Sequence, residues 1–252
     1  KRSTVSLLSP EARIALLPRR AGLAAGGRPP ALRDAEQGGL GALDELLAAQ
    51  GGLRGRARVT LSHHLARLFL VPAPPVRLRP REMRPWLEDR LADTLGRPSD
   101  WRLTWDPPVP GHPVLAAAVE SALIDGLAAT LGRHGLGLAG VRPWLADAWN
   151  RRRLGRASGW YGLLEPGRMT VLRLAGGRPA SLRQRALGDD AAADLAALLA
   201  REDLLAGSEA STDVWLERAG VQGDWSRLGG GRRVHELAGP ADPALALLSC
   251  AP

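Results

Sequence analysis

Lysine, cysteine and two of the aromatic residue types are almost absent from this 252-residue chain. Lysine occurs only as Lys1 and cysteine only as Cys250, while Tyr161 and Phe69 are the single tyrosine and phenylalanine. Without an internal lysine the chain has no Walker A loop, no Schiff-base lysine and no kinase-type phosphate lysine. Without a second cysteine it has no disulfide framework, no cysteine-based zinc site and no CxxC redox pair.

Long apolar runs are missing as well. No stretch approaches the roughly 20 apolar residues that span a bilayer, and Glu11 and Arg13 interrupt the apolar core that a signal peptide needs. Hydrophobic residues make up 45% and charged residues 24% of the chain, as in an ordinary globular protein. We therefore expect a soluble cytoplasmic protein.

The charge is strongly positive, because 34 Lys and Arg residues face 26 Asp and Glu residues, for a net charge of +8. Such a balance raises the possibility of nucleic-acid binding. The arginines are scattered, however, with Arg151–Arg153 as the longest run, and no RNP, KH or zinc-finger pattern occurs. A basic nucleic-acid-binding protein therefore stays an alternative function, but no specific nucleic-acid partner is expected.

Hydrophobic periodicity predicts strands followed by helix, strand, helix and strand, twice along the chain. This order is typical of an α/β protein with mixed sheets in two related lobes. We place the first lobe at residues 1–145 and a second, smaller lobe at 146–252, with residues 20–33 as a Gly/Pro-rich loop. The predicted strands are 4–8, 13–18, 57–61, 65–71, 101–105, 114–119, 136–141, 160–164, 169–174, 180–187, 213–218 and 233–237, and the predicted helices are 40–50, 80–95, 120–133, 145–153 and 191–201.

Two sequence motifs look catalytic but lack the context that their chemistry needs. The segment Gly135–Gly140 matches GxGxxG, yet a helix precedes it and a strand follows it, the reverse of a dinucleotide-binding turn. His63 and His64 resemble the HHxxxD signature of acyltransferases, but Arg67 stands where the Asp is needed. Adjacent strand residues also point to opposite faces, so the two histidines cannot both bind one metal ion without distorting the strand. We predict that these histidines face solvent or cap a turn.

An acidic cluster opens the helix predicted at 191–201. It consists of Asp189, Asp190 and Asp194, and negative side chains are favoured at the positive end of a helix dipole. No GxSxG nucleophile elbow accompanies the histidines. The sequence therefore predicts no catalytic residue and no metal site.

The order of elements resembles the actin-like cytoplasmic proteins of type IV pilus and type II secretion machines, the family of PilM and the GspL cytoplasmic domain. The similarity spans most of the chain and is carried by short segments rather than by one signature. These segments are the opening hairpin 4–16, the strand pair 59–72 ending in a proline, the helix and strand at 118–143, and the start of the second lobe at 163–171.

The resemblance implies an actin-like (RNase H-like) ATPase fold, in which two β-hairpins hold the nucleotide phosphates through backbone N–H groups and an Asp organises Mg²⁺. The first hairpin, placed at residues 8–12, has neither the Asp nor the Gly of that pattern. The second keeps Glu165, Gly167 and Thr170 as candidate nucleotide-binding residues, with Pro166 removing one N–H donor. The pattern indicates a degenerate member of the fold. We expect no cofactor, with ATP and Mg²⁺ as the alternative.

This resemblance implies that the chain is a non-catalytic scaffold in the assembly of a type IV pilus-like or type II secretion-like envelope machine. Its expected partner is a protein, either the tail of an inner-membrane assembly protein or the motor ATPase, and such a partner would place the chain at the inner-membrane face, peripheral to the membrane. The alternative is a nucleotide-dependent enzyme of the actin, sugar-kinase and Hsp70 superfamily.

Four arginines of the second lobe are candidate partner-binding residues. A small sheet leaves unpaired backbone groups at its edges that another chain can complete, and arginines there attract an acidic peptide. The same side chains can instead protect the edge against aggregation. The four are Arg168, Arg173, Arg178 and Arg183.

Overall fold

The computed structural model describes residues 12–152, 154–206 and 212–249. Its strands are β1 (Ala12–Leu16), β2 (Arg20–Ala24), β3 (Ala31–Asp34), β4 (Gly55–Leu61), β5 (Arg67–Val71), β6 (Trp101–Trp105), β7 (Val114–Glu120), β8 (Leu136–Pro143), β9 (Gly159–Glu165), β10 (Arg168–Ala175), β11 (Arg178–Ala186), β12 (Asp213–Arg218) and β13 (Arg233–Leu237). Its helices are α1 (Gly39–Gln50), α2 (Pro80–Leu95), α3 (Ser121–Arg133), α4 (Trp144–Arg152), α5 (Ala191–Ala206) and α6 (Pro243–Ser249), with short 3-10 helices at Pro98–Asp100 and Trp225–Leu228.

Two five-stranded sheets share one topology. The first has the strand order β3-β2-β1-β4-β8 and the second β11-β10-β9-β12-β13. In each, three antiparallel strands are followed by a helix and two strands parallel to the first. Parallel strands need a crossover connection, and helices α1 and α5 supply one at the equivalent point of each sheet. The predicted α/β architecture of two related lobes with mixed sheets is confirmed.

The chain forms two compact units. One comprises the described residues of segments 1–66, 119–151 and 244–252, and the other those of 67–118 and 152–243. The expected boundary at 145/146 separates the two five-stranded sheets, but the units are not continuous along the sequence. Helix α6, apart from Pro243, belongs to the first unit, and Arg13 of β1 donates a 3.3 Å hydrogen bond to the carbonyl of Leu248 in this helix. A linear reading of the sequence cannot detect such a return of the chain.

Each five-stranded sheet buries an apolar face under a helix. In the first unit, α1 contributes Leu43 and Leu47 and α3 contributes Leu127 and Leu131 to one buried cluster. In the second, Leu195 and Leu199 of α5 pack in a cluster with Trp160 and Trp225. These leucines recur at helical spacing, which is why the periodicity predicts both helices.

A third sheet belongs to the second unit. It has the order β5-β7-β6, and Met83, Leu87 and Leu91 of α2 are buried against it. Helix α2 begins with a proline in its first turn, where the missing N–H is not needed. The predicted helix 80–95 and strand 101–105 are confirmed.

The region 20–33 is not a loop, as the sequence analysis expected, but a hairpin of β2 and β3. Their pairing aligns Arg20 with Asp34, and Gly26 and Gly27 form the turn with positive φ angles of 60° and 70°. Neither strand contains a β-branched or aromatic residue, so intrinsic strand propensity does not mark them. Helix α6 was not predicted either. The predicted strand at 4–8 lies outside the described residues.

Candidate functional site

The turn between β9 and β10 carries the three candidate nucleotide-binding residues. Gly167 has a φ of 76° and is exposed. The side chains of Glu165 and Thr170 are buried, and the Thr170 hydroxyl accepts a 3.4 Å hydrogen bond from Nε2 of Gln184. The three residues are close in sequence, but of the three only Gly167 is exposed at the surface of the turn. Their role in nucleotide binding stays a prediction.

The equivalent turn of the first sheet joins β1 to β2 through Leu17, Pro18 and Arg19. This is not the expected hairpin at residues 8–12, of which only Ala12 is described and lies inside β1. The turn contains no carboxylate, and Pro18 has no N–H. The N–H of Leu17 is bonded to the carbonyl of Arg20, while the Pro18 carbonyl accepts a 2.8 Å bond from the N–H of Gly39. This turn therefore lacks the carboxylate of a phosphate-binding hairpin and has one backbone N–H donor fewer.

A buried polar cluster lies where β4 and β8 end. Thr60 donates a 2.7 Å hydrogen bond to Oδ2 of Asp147, and Arg142 reaches Oδ1 at 3.3 Å. The side chain of Asp147 is completely buried, whereas that of Arg142 is 44% exposed. Asp147 stands in the first turn of α4, where the helix dipole favours a negative charge. The cluster fixes the start of α4 against the sheet.

His63 lies beside this cluster, and the prediction that it faces solvent is wrong. It is fully buried and stacks on Trp144 with ring centroids 5.1 Å apart. The turn after β4 directs His63 inward and leaves His64 exposed. The N–H of His64 donates a 3.1 Å hydrogen bond to Oγ of Ser62, so Ser62 rather than a histidine caps this turn, while the exposed His64 agrees with the expectation. No sequence pattern connects His63 with a tryptophan 81 residues further along.

The four candidate arginines of β10 and β11 do not form one surface. Arg168 pairs with Ala186 at one end of the β10–β11 ladder, and Arg178 pairs with Ala175 at the other. At about 3.3 Å per residue the two ends are about 23 Å apart. Arg183 is already paired, with its Nε 2.7 Å from Oε1 of the buried Glu202. Their role in partner binding stays a prediction, and Arg178 is the most exposed of them.

A cavity of about 430 Å³ opens beside β5 in the second unit. Its walls are the strand and the residues after it, one side of α2, and Leu182 of β11. The lining residues outside Leu182 are Leu68, Phe69, Leu70, Val71, Pro72, Ala73, Trp86, Arg90 and Leu91. The cavity is apolar apart from backbone groups, the Trp86 indole and the Arg90 guanidinium. Its volume is in the range of small-molecule and side-chain pockets.

A second cavity, of about 440 Å³, lies in the first unit where α1 and α3 end. Beside it, Oδ1 of Asp44 lies 2.8 Å from Nε2 of His134 and 2.9 Å from the guanidinium of Arg133. These hydrogen bonds hold the pKa of Asp44 below its ordinary value, with His134 as the larger cause. The carboxylate of Asp44 is therefore paired with the Arg133 guanidinium within the protein.

Among the described residues, no three His, Cys, Asp or Glu side chains are grouped closely enough to hold a metal ion. None of the helices in the described ranges combines the length and apolar character needed to cross a membrane.

The doubled β3-β2-β1-β4-β8 topology, with paired turns at equivalent positions, defines a two-lobed protein of the actin-like ATPase fold. Comparison with solved structures agrees. The chain is similar to the cytoplasmic domain of EpsL, an inner-membrane component of the type II secretion system of Vibrio cholerae, with a TM-score of 0.61 and 14% identity over 95% of this chain and 92% of that one. It is also similar to the PilM–PilN type IV pilus biogenesis complex, with a TM-score of 0.55 and 16% identity over 90% and 88% of the chains.

A third similar structure is a protein with actin-like ATPase fold from Bacteroides thetaiotaomicron, with a TM-score of 0.59 and 9% identity over 90% and 88% of the chains. No family model matches the chain, and no curated protein matches its sequence. The actin-like fold expected from the resemblance to PilM and GspL is therefore confirmed. At these identities the likeness shows the fold and leaves function to be proposed.

Proposed function

We propose that this chain is a non-catalytic scaffold of a type IV pilus-like or type II secretion-like envelope machine, lying in the cytoplasm at the inner-membrane face. Its partner is the cytoplasmic tail of an inner-membrane assembly protein or the motor ATPase of the machine. The similarity to the EpsL cytoplasmic domain over nearly the whole of both chains supports this proposal most strongly. The similarity to the PilM–PilN complex supports a protein partner.

The two turns at the phosphate-hairpin positions favour binding of a protein over hydrolysis of a nucleotide. The turn after β1 has no carboxylate to organise Mg²⁺, and its proline lacks an N–H donor. In the turn after β9, the Glu165 carboxylate is buried and Pro166 again removes a donor. Within these two turns, Gly167, exposed with a positive φ, is the feature that supports the alternative of a nucleotide-dependent enzyme.

Thermal unfolding with and without Mg-ATP separates the two functions. A ligand that binds only the native state stabilises it by RT ln(1 + [L]/Kd), or about 2.7 kcal/mol at one hundred times Kd. We expect no shift of the midpoint at millimolar Mg-ATP, with Mg-GTP measured in parallel. A reproducible rise with either nucleotide shows that the native state binds it, and release of phosphate from that nucleotide by the purified chain would contradict the non-catalytic proposal and favour the enzyme.

Partner binding is tested by cross-linking the tagged chain in the source cell, purifying it and identifying the attached proteins by mass spectrometry. We expect enrichment of an inner-membrane protein with a short cytoplasmic segment, or of a hexameric ATPase, relative to the tag alone. We also expect the chain in the membrane fraction and its release by high salt, since the net charge of +8 contributes an electrostatic attraction that salt screens. If neither class of partner is enriched, the result contradicts the proposal.

A further inference from the structure

Strand β5 is an apolar sheet edge that β11 contacts without forming a strand ladder with it. It lies at one end of the three-stranded sheet β5-β7-β6, and Leu68, Phe69, Leu70 and Val71 make four consecutive apolar residues in it. By contrast, the edge strand β11 carries Arg178, Pro179, Arg183 and Arg185, and β13 carries Arg233, His235 and Glu236. Charged residues and proline discourage pairing with another chain, and β5 lacks them beyond its first residue.

The backbone of β5 directs one set of hydrogen-bonding groups away from its sheet. The N–H of Leu68 is bonded to Oε1 of Gln184, a side chain outside the sheet, at 2.8 Å. Leu70 shares this orientation, because successive strand residues alternate. The register agrees, since Leu70 faces Leu115 on β7 and the Leu115 carbonyl bonds Asp106 on the opposite side. The N–H and carbonyl of Leu70 therefore point away from β7, on the side where the cavity and β11 lie.

The wall opposite the strand provides a charge and a donor. Arg90 of α2 is exposed and makes no hydrogen bond or ion pair with any described residue. The indole Nε1 of Trp86 is shielded from solvent and has no acceptor among the described residues. A cation at the rim of an apolar groove attracts a carboxylate, and an indole N–H gains by meeting an oxygen acceptor.

We propose that the cavity beside β5 is the docking groove for an extended segment of a partner protein that carries apolar residues next to an Asp or Glu. The segment pairs with the outer groups of Leu70 and places an apolar side chain against Phe69 and Leu91. Its carboxylate meets the guanidinium of Arg90. This inference rests on the proposed function in that it names the surface through which the scaffold binds its partner.

Pairing along this edge is short. Gln184 occupies the N–H of Leu68, and Pro72 has no N–H to offer. The backbone thus contributes only the groups around Leu70, and the apolar anchor and the charge pair supply the rest of the recognition. This groove is distinct from the β11 arginines considered in the sequence analysis, although Leu182 of β11 lines it.

The test uses a library of random peptides displayed on phage, selected against the whole chain. The most enriched peptide is synthesised with a fluorophore, and its Kd is measured by anisotropy for the wild type and three variants. R90E reverses the rim charge, and L70P removes the outward N–H without touching the bonds to β7. R81E is the matched control, because Arg81 is exposed on the same helix but does not line the groove.

We expect the enriched peptides to combine apolar residues with Asp or Glu, and R90E and L70P each to weaken binding at least tenfold, while R81E leaves the Kd within twofold. Retained thermal midpoints of R90E and R81E show that these variants are folded, and R90E decides the case if L70P unfolds. Basic enriched peptides, no enriched peptide, or equal affinity for R90E and R81E overturn the proposal. A dimer of this chain that dissociates in R90E also overturns it, because a second copy is then the occupant.

Failure of the groove and failure of the scaffold function are separable. Cross-linking in the source cell is repeated with R90E in place of the wild type. A secretion or pilus partner captured equally by both proteins overturns the groove and leaves the scaffold function intact. Peptide binding that depends on Arg90, without any such partner in the cell, supports the groove and contradicts the function.

Discussion

Thr60 and Asp147 are joined by a 2.7 Å hydrogen bond in the interior of the first unit, although 87 residues separate them in sequence. The bond links the end of β4 to the first turn of α4. The Asp147 side chain has no exposed surface, so loss of this donor leaves a buried charge with fewer partners. The hydrogen bond between Thr60 and Asp147 is therefore expected to stabilise the packing of α4 against the first sheet.

The variant T60V tests this bond. Valine keeps the shape of threonine but removes the hydroxyl, and a buried acceptor left without its donor costs about 1–3 kcal/mol. We expect the free energy of unfolding, measured by urea titration, to fall by that amount. T104V is the control, because Thr104 is exposed on β6. Equal losses in both variants contradict a specific role for the Thr60 hydroxyl.

Arg183 and Arg178 differ in what their charges do. Arg183 is bonded to Glu202, whose side chain is only 5% exposed, so R183E places two carboxylates together. We expect R183E to lower the free energy of unfolding by about 2 kcal/mol or more, since a buried charge loses its partner. R178E, at an exposed position, stays within about 0.5 kcal/mol. Chemical denaturation measures both free energies of unfolding. An R183E variant that is as stable as the wild type contradicts a stabilising role for the Arg183–Glu202 pair.

The two glycines of the β10–β11 turn are not equivalent. Both have positive φ angles, 56° at Gly176 and 79° at Gly177, so alanine is strained at either. A Cβ at Gly177 would stand 1.8 Å from the carbonyl oxygen of Gly155, whereas one at Gly176 meets nothing within 4 Å. We expect G177A to lose about 2 kcal/mol more stability than G176A, because the backbone must move. Similar denaturation midpoints for the two variants are the opposing result.

Asp213 gives the second sheet a pH-dependent contribution. The Arg233 guanidinium, together with His235, holds the pKa of Asp213 below its ordinary 3.8. A lowered carboxyl pKa stabilises the native state above pH 3.8, and this contribution is lost as the pH falls through the native-state pKa. We expect D213N to be less stable than the wild type at neutral pH and the difference to shrink in acid.

Urea titrations of the wild type and D213N between neutral pH and acid check this expectation. D89N is the control, because Asp89 is exposed and has no partner among the described residues. A difference for D213N that is constant over the whole pH range, or a D89N difference of the same form, contradicts the role of the Asp213 ion pair.

Much of the fold could be predicted from local patterns. Helix α2 and the strands β6, β12 and β13 match the predicted bounds, because each joins a regular apolar period to clear turn residues. The sequence pattern does not predict strands β2 and β3, because they are short, rich in Ala and Arg, and flanked by Gly and Pro. Their strand conformation comes from pairing with β1, which no local signal reports.

The candidate site was less predictable than the fold. The turn at Glu165–Gly167 was located correctly, because Glu-Pro-Gly between two strands is a turn signal. The burial of Glu165 and the inward position of His63 depend on distant residues. The groove beside β5 was not foreseen, because it needs α2, β5 and one side chain of β11 in the same place.

The sequence by itself determined the α/β class, the repeated order of elements and the absence of lysine- and cysteine-based chemistry, because these depend on residue types and on local periodicity. Only the tertiary structure decided which strand edges are protected, which charges are paired and which turn of the first sheet is equivalent to the one after β9. Those properties arise from contacts between residues far apart in the chain, such as Arg233 with Asp213 and Thr60 with Asp147. Such contacts form only when the sheets align their strands in register.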